Sequence, residues 1–200
     1  AALAWAGTSL AAPAGGQVSA GQAGIARQGA TTTITQTSMR AAIDWQSFSL
    51  APGETVRFTQ PATTAVTLNR VLGGDASQIF GRISANGQVM LLNPNGILFG
   101  TGAQVDVGGL VATTARLANA DFMAGRWQFS PGGRPGAAVE NRGRITVAEG
   151  GLAALVGAQV ANSGVIQARL GRVALAAGDA FVLDLAGDRV AGRQRHAAQP

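Results

Sequence analysis

The sequence predicts an all-β fold built from stacked coils, a parallel β-helix (solenoid) of about 21 residues per coil. Three observations carry this: self-similarity at a fixed short interval, short apolar alternations divided by turn residues, and a composition rich in glycine and poor in charge.

The interval is the most informative. Val139-Glu140-Asn141-Arg142-Gly143-Arg144-Ile145-Thr146-Val147 aligns with Val160-Ala161-Asn162-Ser163-Gly164-Val165-Ile166-Gln167-Ala168 at a constant offset of 21. Continued, the same offset sets Gly150 on Gly171, Leu152 on Val173, Ala154 on Leu175, Val156 on Ala177 and Gly157 on Gly178; Gly87 and Gly108 share it upstream. A unit this short cannot bury its own apolar face, so it must stack on copies of itself. Helical pairs need longer periodic stretches, and a propeller blade needs about twice the length. In a parallel β-helix each coil lies about 4.8 Å above the last and every strand pairs with its equivalent. The 200 residues then correspond to roughly nine coils. Stacking sets Asn141 level with Asn162, where amides can bond along the axis, and Gly143 level with Gly164 at a corner. These four are the expected coil-stacking residues.

The strands follow from alternation: Val56 and Phe58, Val66 and Leu68, Val89 and Leu91, Ile97 and Phe99, Val105 and Val107. Between them stand turn formers such as Pro52-Gly53, Gly73-Gly74, Asn86-Gly87 and Gly108-Gly109. One stretch breaks the pattern. Asn119 through Gly125 predicts a single helical turn with Asn119 as N-cap and Gly125 as C-cap. Arg126–Phe129 then reads as a strand and Ser130–Gly136 as a loop, an excursion that covers an open flank of the stack.

Glycine is 29 of 200 residues and charged residues are 12%, which suits turn-rich packing of small side chains. The absence of cysteine excludes disulfides, thiolate zinc sites and cysteine nucleophiles. The absence of lysine excludes a phosphate-loop lysine and Schiff-base chemistry. The one histidine, His196, lies near the C-terminus among Arg193 and Arg195, a poor place for a catalytic triad. Asp106, Asp121, Asp179, Asp184, Asp188, Glu140 and Glu149 fall mostly near corners and form no spaced pair for lyase or hydrolase chemistry. No enzymatic activity, metal or cofactor is expected. The net charge of +5 rests on scattered arginines, without the dense runs or interleaved aromatics of a nucleic-acid groove. No apolar run is long enough to span a bilayer as a helix, so no stable membrane insertion is expected. Residues 1–14 read as a signal-peptide remnant or leader, with small residues around Ala12 and Ala14.

The most specific motif is Asn93-Pro94-Asn95-Gly96-Ile97. Asn93 can cap a turn, Pro94 fixes φ, and Asn95-Gly96 accommodate positive φ, so the chain swings from one core strand into the next. Together with Gly16-Gln17-Val18, Thr32–Gln36, Ile43–Phe48, Leu68-Asn69-Arg70-Val71 and Gly74–Ile79, in that order, it resembles the N-terminal secretion (TPS) domain of filamentous-haemagglutinin-type exoproteins over residues 15–190. The family's other marker, Asn-Pro-Asn-Leu, is replaced here by Leu68-Asn69-Arg70-Val71. The resemblance implies a two-partner secretion substrate that crosses the inner membrane by the Sec route and stays unfolded in the periplasm. There the periplasmic POTRA domains of a dedicated TpsB-type outer-membrane transporter recognise it. It then folds outside as a right-handed β-helix, with an N-terminal cap and small excursions, ahead of a passenger, residues 191–200 being a tail or the link to it. It further implies a secreted or cell-surface location and no cofactor. Candidate recognition or folding residues are Asn93, Pro94, Asn95, Gly96 and Ile97, with Leu68, Asn69 and Arg70 second. Trp45 and Phe48 belong in the core or under the cap. A second reading is direct adhesion through exposed solenoid faces that include Trp127 and Phe129.

Overall fold

In Gln104-Val105-Asp106-Val107 every second residue is buried, whereas in Gly109-Leu110-Val111-Ala112-Thr113 every residue is. A strand covered on one face alternates; a strand covered on both reads as a continuous apolar run. That difference describes the molecule. The computed structural model describes residues 12–178, 180–183 and 190–192. Their chain winds as a parallel β-solenoid of about seven turns, near 22 residues each.

Sheet I stacks the parallel strands Arg40–Trp45, Val66–Val71, Gln88–Leu92, Gly109–Thr113, Leu152–Gly157 and Arg172–Ala177. Sheet II stacks Ser77–Ile79, Ile97–Phe99, Ala138–Asn141 and Gln159–Asn162. Sheet III stacks Thr31–Gln36, Thr55–Thr59, Arg82–Ala85, Gln104–Val107, Arg144–Val147 and Val165–Ala168. The core lies between the three, with Ile34, Phe58, Phe99, Leu91 and Ile145 all buried. At the N-terminal end, Gln17–Ala20 and Ala23–Gln28 pair antiparallel with the first strands of sheets I and III, which closes edges that would otherwise be open to pairing. Trp45 and Phe48 meet edge to face at 5.5 Å near that end, both buried. Ala14 bridges Ser47, so the end of the proposed leader lies against the first coil, while residues 1–11 fall outside the described residues.

The outer side of sheet I is covered by the excursion. Leu68, Met90 and Val111 on the sheet contact Leu117, Phe122 and Phe129 above it. This is why strands such as Val89-Met90-Leu91-Leu92 lack alternation. The helix spans Asn119–Met123, with Ala118 rather than Asn119 in the N-cap position and no side-chain cap. Asn119 donates instead to Ser19 Oγ at 3.2 Å. Gly125, at φ 72°, follows the C-cap Ala124. The strand is shorter than expected, Gln128–Phe129. Trp127 and Phe129 do not form an exposed binding face: Phe129 is buried and stacks on Phe181 at 4.3 Å, and Trp127 packs on Phe122 at 5.5 Å beneath Arg40.

Two further expectations are corrected. Nine coils is too many, because the cap consumes residues in antiparallel strands and the excursion stretches one coil from Gln104 to Arg144. The offset of 21 holds from Ala138 to Ala168 but not beyond: Leu155 pairs with Leu175 and Ala153 with Val173, an interval of 20. The corner Ala148-Glu149-Gly150 is one residue longer than its successor Arg169-Leu170, where Leu170 takes φ 49°. The slip keeps the large side chains on the inner face.

Acidic side chains mostly sit beside arginines. Asp44 pairs with Arg70, Glu54 with Arg27, Asp121 with Arg126, and Asp106 faces Arg82 at 3.9 Å. Asp179, Asp184, Asp188 and His196 lie outside the described residues. Among the described residues no helix is long and apolar enough to cross a membrane.

Candidate functional site

Asn93 leaves sheet I with its backbone N–H still donating to Thr113 O of the next coil, and its side chain is buried. A buried amide must find partners for all its polar atoms. Its Nδ2 donates to Asp75 O and to Ser77 Oγ, both at 3.0 Å. Its Oδ1 accepts from the backbone N–H and Nδ2 of Asn95, both at 2.9 Å. Asn95 Nδ2 also reaches Gly73 O at 2.8 Å. The corner is thereby fastened to the preceding corner, Gly73 to Ser77, by side chains as well as by the bond from Ser77 N–H to Gly96 O. Gly96 takes φ 114°, open to glycine at little cost, and its N–H donates to Asn93 O. Ile97 then enters sheet II, buried between Ser77 and Val139.

The second motif arrives one coil earlier on sheet I. Alternation turns Leu68 outward under the excursion and Asn69 inward. Trp45 Nε1 donates to Asn69 Oδ1 at 3.0 Å, and Asn69 Nδ2 donates to Met90 O at 3.3 Å. Replacing Asn69 by leucine strands the indole N–H, so we expect a loss of about 2 kcal/mol in urea unfolding. Trp45→Phe in the same chain should recover much of it, since both partners are then apolar. Arg70 faces outward, ion-paired to Asp44 and donating to Leu117 O at 3.2 Å.

The two motifs meet. Arg70 and Leu72 on one side and Pro94 and Asn95 on the other border a groove of about 570 Å³, closed by the excursion through Arg116 and Arg134. Pro94 O accepts from Arg134 N–H at 2.8 Å. Asn93, Gly96, Ile97, Leu68 and Asn69 are inside the fold, while Pro94, Asn95 and Arg70 are partly accessible. Sequence reasoning did not find Arg116, Arg134 or Ser77 as members of this site. Ser77 was discoverable, because it lies 20 residues before Ile97 and pairs with it.

The stacking residues form a second, distant corner. Asn141, level with Asn162, donates through Nδ2 to Asn162 Oδ1 at 2.8 Å and accepts through Oδ1 from Gly143 N–H at 3.1 Å. A side chain on Gly164 would overlap Gly143 O. Beside them, the fork of Arg142 donates to both oxygens of Glu140 and holds that carboxyl below its ordinary range.

Residues 10–199 match the family described as the TPS secretion domain. Two heme/hemopexin-binding proteins of Haemophilus influenzae, one from strain Rd, are similar to the chain. They are 47% identical over 98 residues and 45% identical over 105 residues. Those stretches cover 49% and 52% of this chain but only 11% and 12% of the relatives' lengths. Among solved structures, the HMW1 secretion domain of Haemophilus influenzae superposes with a TM-score of 0.82 at 31% identity, covering 92% of this chain and 49% of that one. The filamentous hemagglutinin secretion domain gives 0.64 at 21% identity, covering 94% and 71%, a likeness of fold.

Proposed function

The chain belongs to the TPS secretion domain family, and on that premise we propose that its last coil seeds the folding of a following passenger while its Asn93–Ile97 corner locks the coils together. It is the secretion-targeting domain of a two-partner secreted protein, recognised by a TpsB-type transporter and delivered to the cell surface or released. The homologues are secretion domains and segments of binding proteins, and in our reading the domain itself is not an enzyme. In our reading the transporter's periplasmic POTRA domains engage the chain unfolded, after removal of a leader within residues 1–14, and residues 191–200 join the passenger.

One observation carries the seeding role. Inner positions of sheet I are sealed at Ala153 and Leu155, yet their stacked partners Val173 and Leu175 are each 49% exposed. Covering the half of each side chain still exposed contributes about 1 kcal/mol apiece. The next coil is therefore drawn onto the end of the stack in register, and folding outside the cell biases transport outward. Replacing Val173 and Leu175 together by aspartate in the passenger-bearing protein should leave transporter capture and the domain's own melting nearly unchanged. Surface delivery of folded passenger should fail. Undiminished delivery would refute the seeding role.

The locking role of the corner is supported by the burial of Asn93, Gly96 and Ile97 in the folded coil. It is tested by pulldown of unfolded Asn93→Leu chain on the transporter's periplasmic part. Retained capture with a destabilised fold is the expected result; lost capture would make the motif a recognition element.

A further inference from the structure

We propose that the groove between the two motifs and the excursion is a docking site for an acidic, partly apolar peptide segment of a partner protein, bound in extended form by the folded domain. This concerns the finished fold and stands apart from the roles proposed above.

The groove holds about 570 Å³ and is lined by Arg70, Arg116 and Arg134 but by no aspartate or glutamate. Elsewhere Arg27, Arg82, Arg126 and Arg142 each have a carboxylate within 4.0 Å, whereas Arg40, Arg57, Arg144 and Arg169 stand singly without one; what distinguishes the groove is that its arginines converge on one concave surface. Of these only Arg70 has a carboxylate partner, Asp44. The Arg134 guanidinium makes a single 3.5 Å bond, to Gly74 O, and the Arg116 guanidinium has no partner among the described residues. Arg116 is nevertheless held in place. Its backbone pairs with Ser130 at 2.9 Å in both directions, and its stem lies against Gly132, where a side chain would overlap it. Two guanidinium groups without counter-charge, one of them held in place, beside a third, favour carboxylates, which arginine can grip with two parallel bonds.

The remaining features select a peptide. Leu72, 63% exposed, stands at the lip as a surface for an aliphatic side chain. Asn95 lines the groove with its Nδ2 already serving three oxygens of the two corners, so the polar wall there is fixed rather than free to rearrange. The lining contains no aromatic ring on which a sugar could stack.

The test uses the folded 200-residue chain and a fluorescent peptide of alternating glutamate and leucine, with its glutamine counterpart, read by anisotropy. The acidic peptide should bind and weaken with added salt, and the glutamine peptide should not bind. Arg116→Ala with Arg134→Ala should weaken binding about tenfold or more, while Arg57→Ala, exposed on sheet III away from the groove, should not. Circular dichroism confirms that each variant is folded. Equal losses from Arg57→Ala and the groove variant would reduce the effect to net charge and overturn the proposal. So would no binding at about 1 mM peptide. A uronate oligosaccharide that binds with the same arginine dependence while the peptide does not would also overturn it, assigning the groove to glycan.

Discussion

Asn93→Leu should lower the stability of the folded chain by about 4 kcal/mol, roughly 10 °C in melting temperature for a domain of this size. Leucine fills nearly the same space, so the loss comes from polar groups rather than from a cavity. The change strips four hydrogen bonds from a fully buried position. It leaves the buried Ser77 hydroxyl and the Asn95 N–H without their partner, each at a cost of about 1–3 kcal/mol, and leaves the Asp75 carbonyl only its 3.3 Å bond from Asn95 Nδ2. These groups belong to two successive corners, so the damage is to the joint between coils. Changing Ser77→Ala in the same background should cost little more, because one of the stranded groups is then gone. Additive losses from the two substitutions would show that the joint is not where the energy resides.

Gly151→Val should cost at least as much, about 4 kcal/mol or more, and should not be rescued by any side chain larger than hydrogen. Gly87, Gly108, Gly151 and Gly171 form a column at the entry to sheet I, with Gly108 N–H donating to Gly87 O at 2.8 Å. A Cβ on Gly151 would run into the carbonyl oxygen of Gly108 below it. A Cβ on Gly171 would meet Gly151 in the same way. The coils cannot part to make room without breaking strand pairs on every face. The adjacent Gly150 is the control. It takes φ 74° with open space around its missing side chain, so Gly150→Ala should cost only about 1–2 kcal/mol, the price of a left-handed conformation. Urea unfolding of the pair separates close packing from backbone conformation. Similar losses at the two positions would contradict the column.

The sequence was legible wherever one face of a strand meets water. Val105 and Val107 alternate with polar neighbours, and the Asn141/Asn162 interval marks a repeat because polar and glycine positions anchor the alignment. It was illegible where both faces are covered. Leu152-Ala153-Ala154-Leu155-Val156 matches Val173-Ala174-Leu175 about equally well at 20 or 21, since small apolar residues stand on both sides. The true register followed only from which side chains face the core. The excursion was legible as an interruption. That it lies on sheet I, burying Phe122 and Phe129, depends on contacts between residues distant in sequence. The same is true of the groove. Asn93–Ile97 stood out as a motif by its turn chemistry, but nothing in its local sequence announces Arg116 and Arg134 as neighbours.

The account stands on coils lying one above another in the stated register, and the absence of cysteine makes that directly measurable. Thr146 and Gln167 are stacked partners whose side chains point away from the core. Strand spacing of about 4.8 Å falls within the range that a disulfide bridges. Under mild oxidation the chain carrying Thr146→Cys and Gln167→Cys should form that disulfide quickly and nearly completely. Thr146→Cys with Ile166→Cys should not, because a shift of one residue turns the second thiol inward. Equal cross-linking of both pairs, or of neither, would contradict the stacked solenoid and every role assigned to its corners and its open end.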